Sequence, residues 1–148
     1  MRDISLHVLD IVMNSIKANA TLIEITIIET TSKVSVTIKD NGQGMSEDYV
    51  KHVLDPFLTS RTTRKVGLGI PLLYQNVKKT AGEFTIESKL NQGTLVKAVF
   101  NKNHIDCIPL GDMEATIITL ITLEPKVDFI YRFKTCNEEF VLNTLEMK

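Results

Sequence analysis

The sequence has only two cysteines, no apolar run long enough to cross a bilayer, almost no excess of either charge and no internal repeat or low-complexity tract, and each shortage removes a class of function. Cys107 and Cys136 sit in no metal-type spacing, so reduced thiols are expected and a zinc site is not. Without a spanning segment, and with Asp3 following Met1 and Arg2 where a secretion signal would be basic and then apolar, the chain reads as cytoplasmic, with no membrane partner. A net charge of −1 and a pI near 6.3 supply no global field for nucleic acid or an anionic surface. Any charge-based recognition must therefore be local. What is present is 43% hydrophobic residues in a chain of 148, enough for one buried core and too little for two ordinary domains.

Ile4, Val8, Ile11, Val12 and Ile16 recur at helical spacing over Ile4 to Ala18. Asp3, His7, Asp10, Asn14 and Lys17 recur at alternating steps of four and three, which aligns them on one side of that helix. Such a stripe is either a solvated outer face or the acid, amide and amine set that a metal–phosphate site requires. Thr21 to Thr30 and Lys33 to Asp40 are β-branched and alternating, and read as an antiparallel pair. The second ends in Asp40-Asn41-Gly42-Gln43-Gly44-Met45, turn chemistry that leads not into a third strand but to Ser46, an N-cap with Glu47 and Asp48 in the first turn of a helix running to about Asp55.

Pro56 stops that helix, and Leu58 to Val66 is a polar loop carrying Arg61, Arg64 and Lys65, either a lid over an anion or a solvated connection. The loop runs into Gly67-Leu68-Gly69 and a helix from Pro71 to about Ala81, stopped by Gly82. Glycines before a helix start let backbone approach a ligand, and the free N–H groups and dipole of the helix suit phosphate. Glu83 to Ser88 and Thr94 to Phe100 are two further strands joined through Asn91-Gln92-Gly93. In the tail, Gly111-Asp112 starts a helix to about Leu123 and Val127 to Lys134 alternates as a strand, while Glu138 to Met147 reads equally as a partnering strand or a helix. The order predicts an α+β, two-layer sandwich with one mixed, mostly antiparallel sheet and helices on one face. Residues 1–102 form the main unit, and 103–148 an extension packed on the main sheet or on a partner.

Taken together, Asp10-Ile-Val-Met-Asn14-Ser-Ile-Lys17, Asp40-Asn-Gly42-Gln-Gly44, Asp55-Pro-Phe57, Lys65-Val-Gly67-Leu68-Gly69 and Gly93-Thr94 resemble, in order, the boxes of the nucleotide-binding domain shared by sensor histidine kinases, DNA gyrase, the ninety-kilodalton heat-shock chaperones and MutL mismatch-repair proteins, the GHKL or Bergerat fold. The blocks span Asp3 to Phe100. The opening through Gly44-Met45 looks like MutL, although MutL proteins carry an acid where Lys17 stands. The stretch from Asp55 onward looks like a histidine-kinase catalytic domain. The resemblance implies ATP and Mg²⁺ as ligands. Asn14 would hold the metal, and Lys17, Arg64 and Lys65 would face the phosphates.

It further implies that Asp40 accepts from the adenine amino group, with Gly42, Gly44 and Met45 beside the base, Phe57 anchoring the lid, Gly67, Leu68 and Gly69 at the phosphates, and Thr94 supporting Asp40 or remaining a plain strand residue. Asp10 occupies the position of the general base, one methylene shorter than the glutamate of the hydrolytic branches. His7 is expected to be a polar neighbour or a solvated group rather than a phosphoacceptor, and His52 and His104 surface residues. The implied activity is phosphotransfer from ATP to an unidentified protein partner, as by a stand-alone histidine-kinase catalytic module. The alternatives are a slow ATPase, a non-catalytic ATP-dependent switch that gates a protein interaction through its lid, and a plain interaction domain. A homodimer would need an interface from the tail or the first helix.

Overall fold

The computed structural model describes residues 3–44, 69–104 and 107–144. Its elements are α1 (Ile4–Lys17), β1 (Leu22–Glu29), β2 (Lys33–Asp40), α2 (Gly69–Lys79), β3 (Glu83–Lys89), β4 (Gly93–Asn101), α3 (Met113–Leu123), β5 (Asp128–Lys134) and β6 (Glu139–Asn143). The six strands form one sheet in the order β3-β4-β2-β1-β5-β6, antiparallel at every pairing except the parallel β1–β5.

Alternation decides which sheet face is covered. Ile23, Ile25 and Ile27 of β1 are fully buried, in line with Val34, Val36 and Ile38 of β2, Val96, Ala98 and Phe100 of β4, and Phe129 and Tyr131 of β5. These side chains share one face because period-two strands in register send every second residue the same way. Burying each isoleucine contributes roughly 1.5–3 kcal/mol, so a one-residue slip of β1, which would turn all three outward, is strongly disfavoured. The β1–β2 turn is held by Thr30, whose hydroxyl accepts from the Lys33 amide at 3.0 Å while its own amide donates to the Lys33 carbonyl at 2.8 Å.

The α1 helix buries Ile4, Val8, Ile11, Val12 and Ser15. Asp3 caps it, accepting from the Leu6 amide at 3.0 Å and the Ser5 hydroxyl at 2.6 Å. Two more of its N-terminal amides, on Ile4 and Ser5, donate to the carbonyls of Pro109 and Leu110 at 2.9 Å, so the segment after β4 completes the cap. From there α3, capped by Asp112 through the Ala115 amide, leads to β5 beside β1. In the last segment Glu139–Asn143 is a strand, paired with β5.

Two local expectations need correction. The helix read from Pro71 to Ala81 spans Gly69–Lys79, and the chain turns at Ala81, the residue with positive φ (57°), rather than at Gly82. Nor do the five polar residues of α1 form one solvent-facing stripe. Asp3 is the cap, and His7 is 1% exposed, its Nε2 2.9 Å from Nδ2 of Asn76 on α2. His7 is a buried link between two helices, because α2 packs against the side of α1 that carries it. His104 is exposed, as expected.

Candidate functional site

The far end of β2 is where α1, the turn after Asp40 and the β3–β4 hairpin meet. Asp40 is the last residue of β2 and 9% exposed, opposite Ile23 on β1 and Thr94 on β4. Its carboxylate is held at both oxygens: Oδ1 accepts from the Gly42 amide at 2.9 Å and Oδ2 from the Ser15 hydroxyl at 2.6 Å. The second bond joins the middle of the sheet to α1 at Ser15, the residue after Asn14.

The turn after Asp40 is stitched on three sides. Asn41 Oδ1 accepts from the Thr21 and Leu22 amides at 2.8 and 3.0 Å, and its Nδ2 donates to the Thr21 hydroxyl at 3.0 Å. The Gln43 amide donates to the Ala18 carbonyl at 2.8 Å, and the Gln43 carbonyl accepts from the Asn91 amide at 2.5 Å. Glycine is required here by the chain's own backbone. A Cβ on Gly42 would stand 2.8 Å from the Ala18 carbonyl oxygen, and one on Gly44, at φ +73°, 2.0 Å from that of Lys89. Both glycines therefore let the turn lie against α1 and the β3–β4 hairpin.

On the helix, Asp10 and Lys17 are exposed and Asn14 half-buried, and none of the three has a side-chain hydrogen bond or ion pair with another described residue. An amide oxygen with a carboxylate one helical turn away is a donor set that suits a hard, largely hydrated cation such as Mg²⁺. Thr94 lies opposite Asp40, but its hydroxyl is 2.8 Å from that of Ser88, which donates to the Gly93 carbonyl at 3.0 Å. Gly69 opens α2. Met45, Phe57, Arg64, Lys65, Gly67 and Leu68, with Arg61, His52, the helix read over Ser46 to Asp55 and the Leu58–Val66 loop, lie outside the described residues.

Ser15, Asn41, Asn76 and Ser88 were not singled out from the sequence, yet the structure ties each to the site or its support. Ser15 left a signal: it follows Ile11 by four and Val12 by three, so it is a hydroxyl on the core stripe of α1. Asn76 left none, because its partner is 69 positions away. Among the described residues there is no grouping of three or more His, Cys, Asp or Glu placed to hold a metal, and no helix long and apolar enough to cross a membrane.

Comparison with known proteins matches this architecture. A putative sensor protein of Shewanella frigidimarina is 31% identical over 96 residues, covering 62% of this chain and 15% of its own length. The sensor histidine kinase YvrG of Bacillus subtilis is 30% identical over 60% of this chain and 16% of its own, and sporulation kinase C of the same organism 29% identical over 62% and 22%. The chain thus spans less than a quarter of the length of these relatives. Among solved structures, the Aquifex aeolicus MutL ATPase domain complexed with ADP superposes with a TM-score of 0.59 at 16% identity, covering 97% of this chain and 63% of that one, which establishes the shared fold. The model of the histidine kinase-, DNA gyrase B- and HSP90-like ATPases matches residues 2–104, the span that contains Asn14, Asp40 and Thr94 in one sheet-and-helix unit, and the chain belongs to that family.

Proposed function

We propose that this chain binds Mg-ATP between α1 and the end of β2 and transfers the terminal phosphoryl group to a residue of a partner protein. The observation that carries the reading is the 2.6 Å bond between Ser15 and Asp40, which ties an acceptor-only carboxylate at the end of β2 to α1 at the residue after Asn14. The carboxylate takes the exocyclic amino group of adenine, Asn14 meets the metal and the phosphates lie toward the start of α2, whose N–H groups favour anions. Bound Mg²⁺ would neutralise phosphate charge. Lys17 adds a cation to the same region, and Asp10, one turn before Asn14, accepts the proton of the attacking group. Met45, Phe57, Arg64, Lys65, Gly67 and Leu68 are assigned to the base, lid and phosphates on the family's pattern.

A second reading, an ATP-dependent switch without chemistry, draws support from the exposure of Asp10, which no described side chain orients. Asp10→Ala separates the two. Phosphotransfer is expected to fall by about 10²–10⁴-fold with ATP affinity within twofold of wild type, the range lost with a general base. The assay is incubation with γ-labelled ATP and extract of the source cell, followed by identification of labelled protein. If wild type labels nothing but binds a partner only with ATP present, the switch stands and the transferase reading falls.

A further inference from the structure

The Ser15–Asp40 pair has a consequence for which base the site accepts. We infer that Ser15 is a positioning residue for base selection, holding the Asp40 carboxylate so that a 6-amino purine is accepted and a 6-oxo purine rejected; this rests on the nucleotide reading above. Ser15 is 6% exposed, and its single proton has two acceptors in reach, Asp40 Oδ2 at 2.6 Å and the Ile11 carbonyl at 3.3 Å. The shorter, charge-assisted bond takes it. With the Gly42 amide on Oδ1, the carboxylate is clamped by donors from α1 and from the turn after β2, which is itself fastened to the end of α1 through the Gln43 amide and the Ala18 carbonyl.

A clamped carboxylate offers only lone pairs to a ligand. It matches the N–H of a 6-amino group and opposes the oxygen of a 6-oxo group, and it cannot rotate to relieve that opposition. Rejection by an unpaired, fixed polar group is the stronger form of selectivity. Without Ser15 the Oδ2 side is released, the carboxylate turns about its bond to Cβ, and both bases meet an adaptable acceptor.

The test compares ATP with ITP, which differ at the 6-position, by calorimetric Kd on wild type, Ser15→Ala, Ser15→Thr and Ser5→Ala. Ser5→Ala is the control, since Ser5 is also buried on α1 and donates to a carboxylate, Asp3, at 2.6 Å, away from the site. Wild type is expected to prefer ATP, Ser15→Ala to shrink that preference about tenfold, mainly through weaker ATP binding, and Ser15→Thr, which keeps the hydroxyl, to restore it; Ser5→Ala should leave the ratio unchanged. A wild-type ratio in Ser15→Ala, an equal loss of ratio in Ser5→Ala, or no restoration by threonine overturns the role of Ser15 and leaves nucleotide binding standing. Wild type that binds both nucleotides alike overturns this inference and leaves nucleotide binding standing, whereas wild type that binds neither overturns the nucleotide reading and this inference with it.

Discussion

Replacing Asp40 by asparagine separates the role of its charge from that of its shape. In the native arrangement Oδ1 takes the Gly42 amide and Oδ2 the Ser15 hydroxyl. In Asp40→Asn the amide oxygen keeps the Gly42 bond, Nδ2 donates to Ser15 Oγ, and the Ser15 proton turns to the Ile11 carbonyl 3.3 Å away. Every protein group stays paired, so the cost is the difference between charged and neutral hydrogen bonds, about 1 kcal/mol, or a Tm lower by about 2–4 °C. Binding loses far more, because the group facing the ligand now donates where it accepted. A hydrogen bond to a charged partner contributes about 1.5–3 kcal/mol, so ATP affinity should fall roughly 10- to 150-fold. Calorimetric titration with Mg-ATP reads the affinity, and thermal unfolding without ligand reads the fold. Unchanged ATP affinity in a folded Asp40→Asn protein would refute the assignment of Asp40 to the base.

Two other outcomes follow from the geometry. Gly44→Ala forces a Cβ to within 2.0 Å of the Lys89 carbonyl at a φ of +73°, so urea unfolding should show a loss of about 1–3 kcal/mol, and an unchanged midpoint would contradict the close approach. Burial, and secondarily the charge of Glu114, pushes the Tyr131 phenol from its ordinary 10.0 up to about 12. The folded state holds this proton more tightly, so the stabilisation is complete below pH 10 and is lost as pH rises toward 12; Tyr131→Phe should remove a stability slope worth roughly 2–3 kcal/mol over that span.

Elements whose signal is local were legible in the sequence. The β1–β2 and β3–β4 hairpins follow from alternation interrupted by turn residues, α1 from apolar spacing, and α3 from Asp112 at its start, whereas the Asp3 cap of α1 was not read. The burial of His7 was not legible, since periodicity assigns a residue to a side of a helix without saying what will cover that side. The Glu138–Met147 segment stayed ambiguous for the same reason: only the exposed edge of β5 makes Glu139–Asn143 a strand. The glycines after Asp40 were readable as necessary, but the backbone they accommodate belongs to α1 and the β3–β4 hairpin, which no short window contains.

By itself the sequence determined the secondary structure of the main sheet, the set of polar and glycine blocks, and through their order the family. Tertiary structure decided which blocks touch: Ser15 with Asp40 across 25 positions, His7 with Asn76 across 69, and β1 with β5 in parallel. Spacing along a helix or strand fixes direction within a few residues, whereas contact between distant segments depends on how a whole sheet is ordered and covered, a choice made by the burial of the core as one unit.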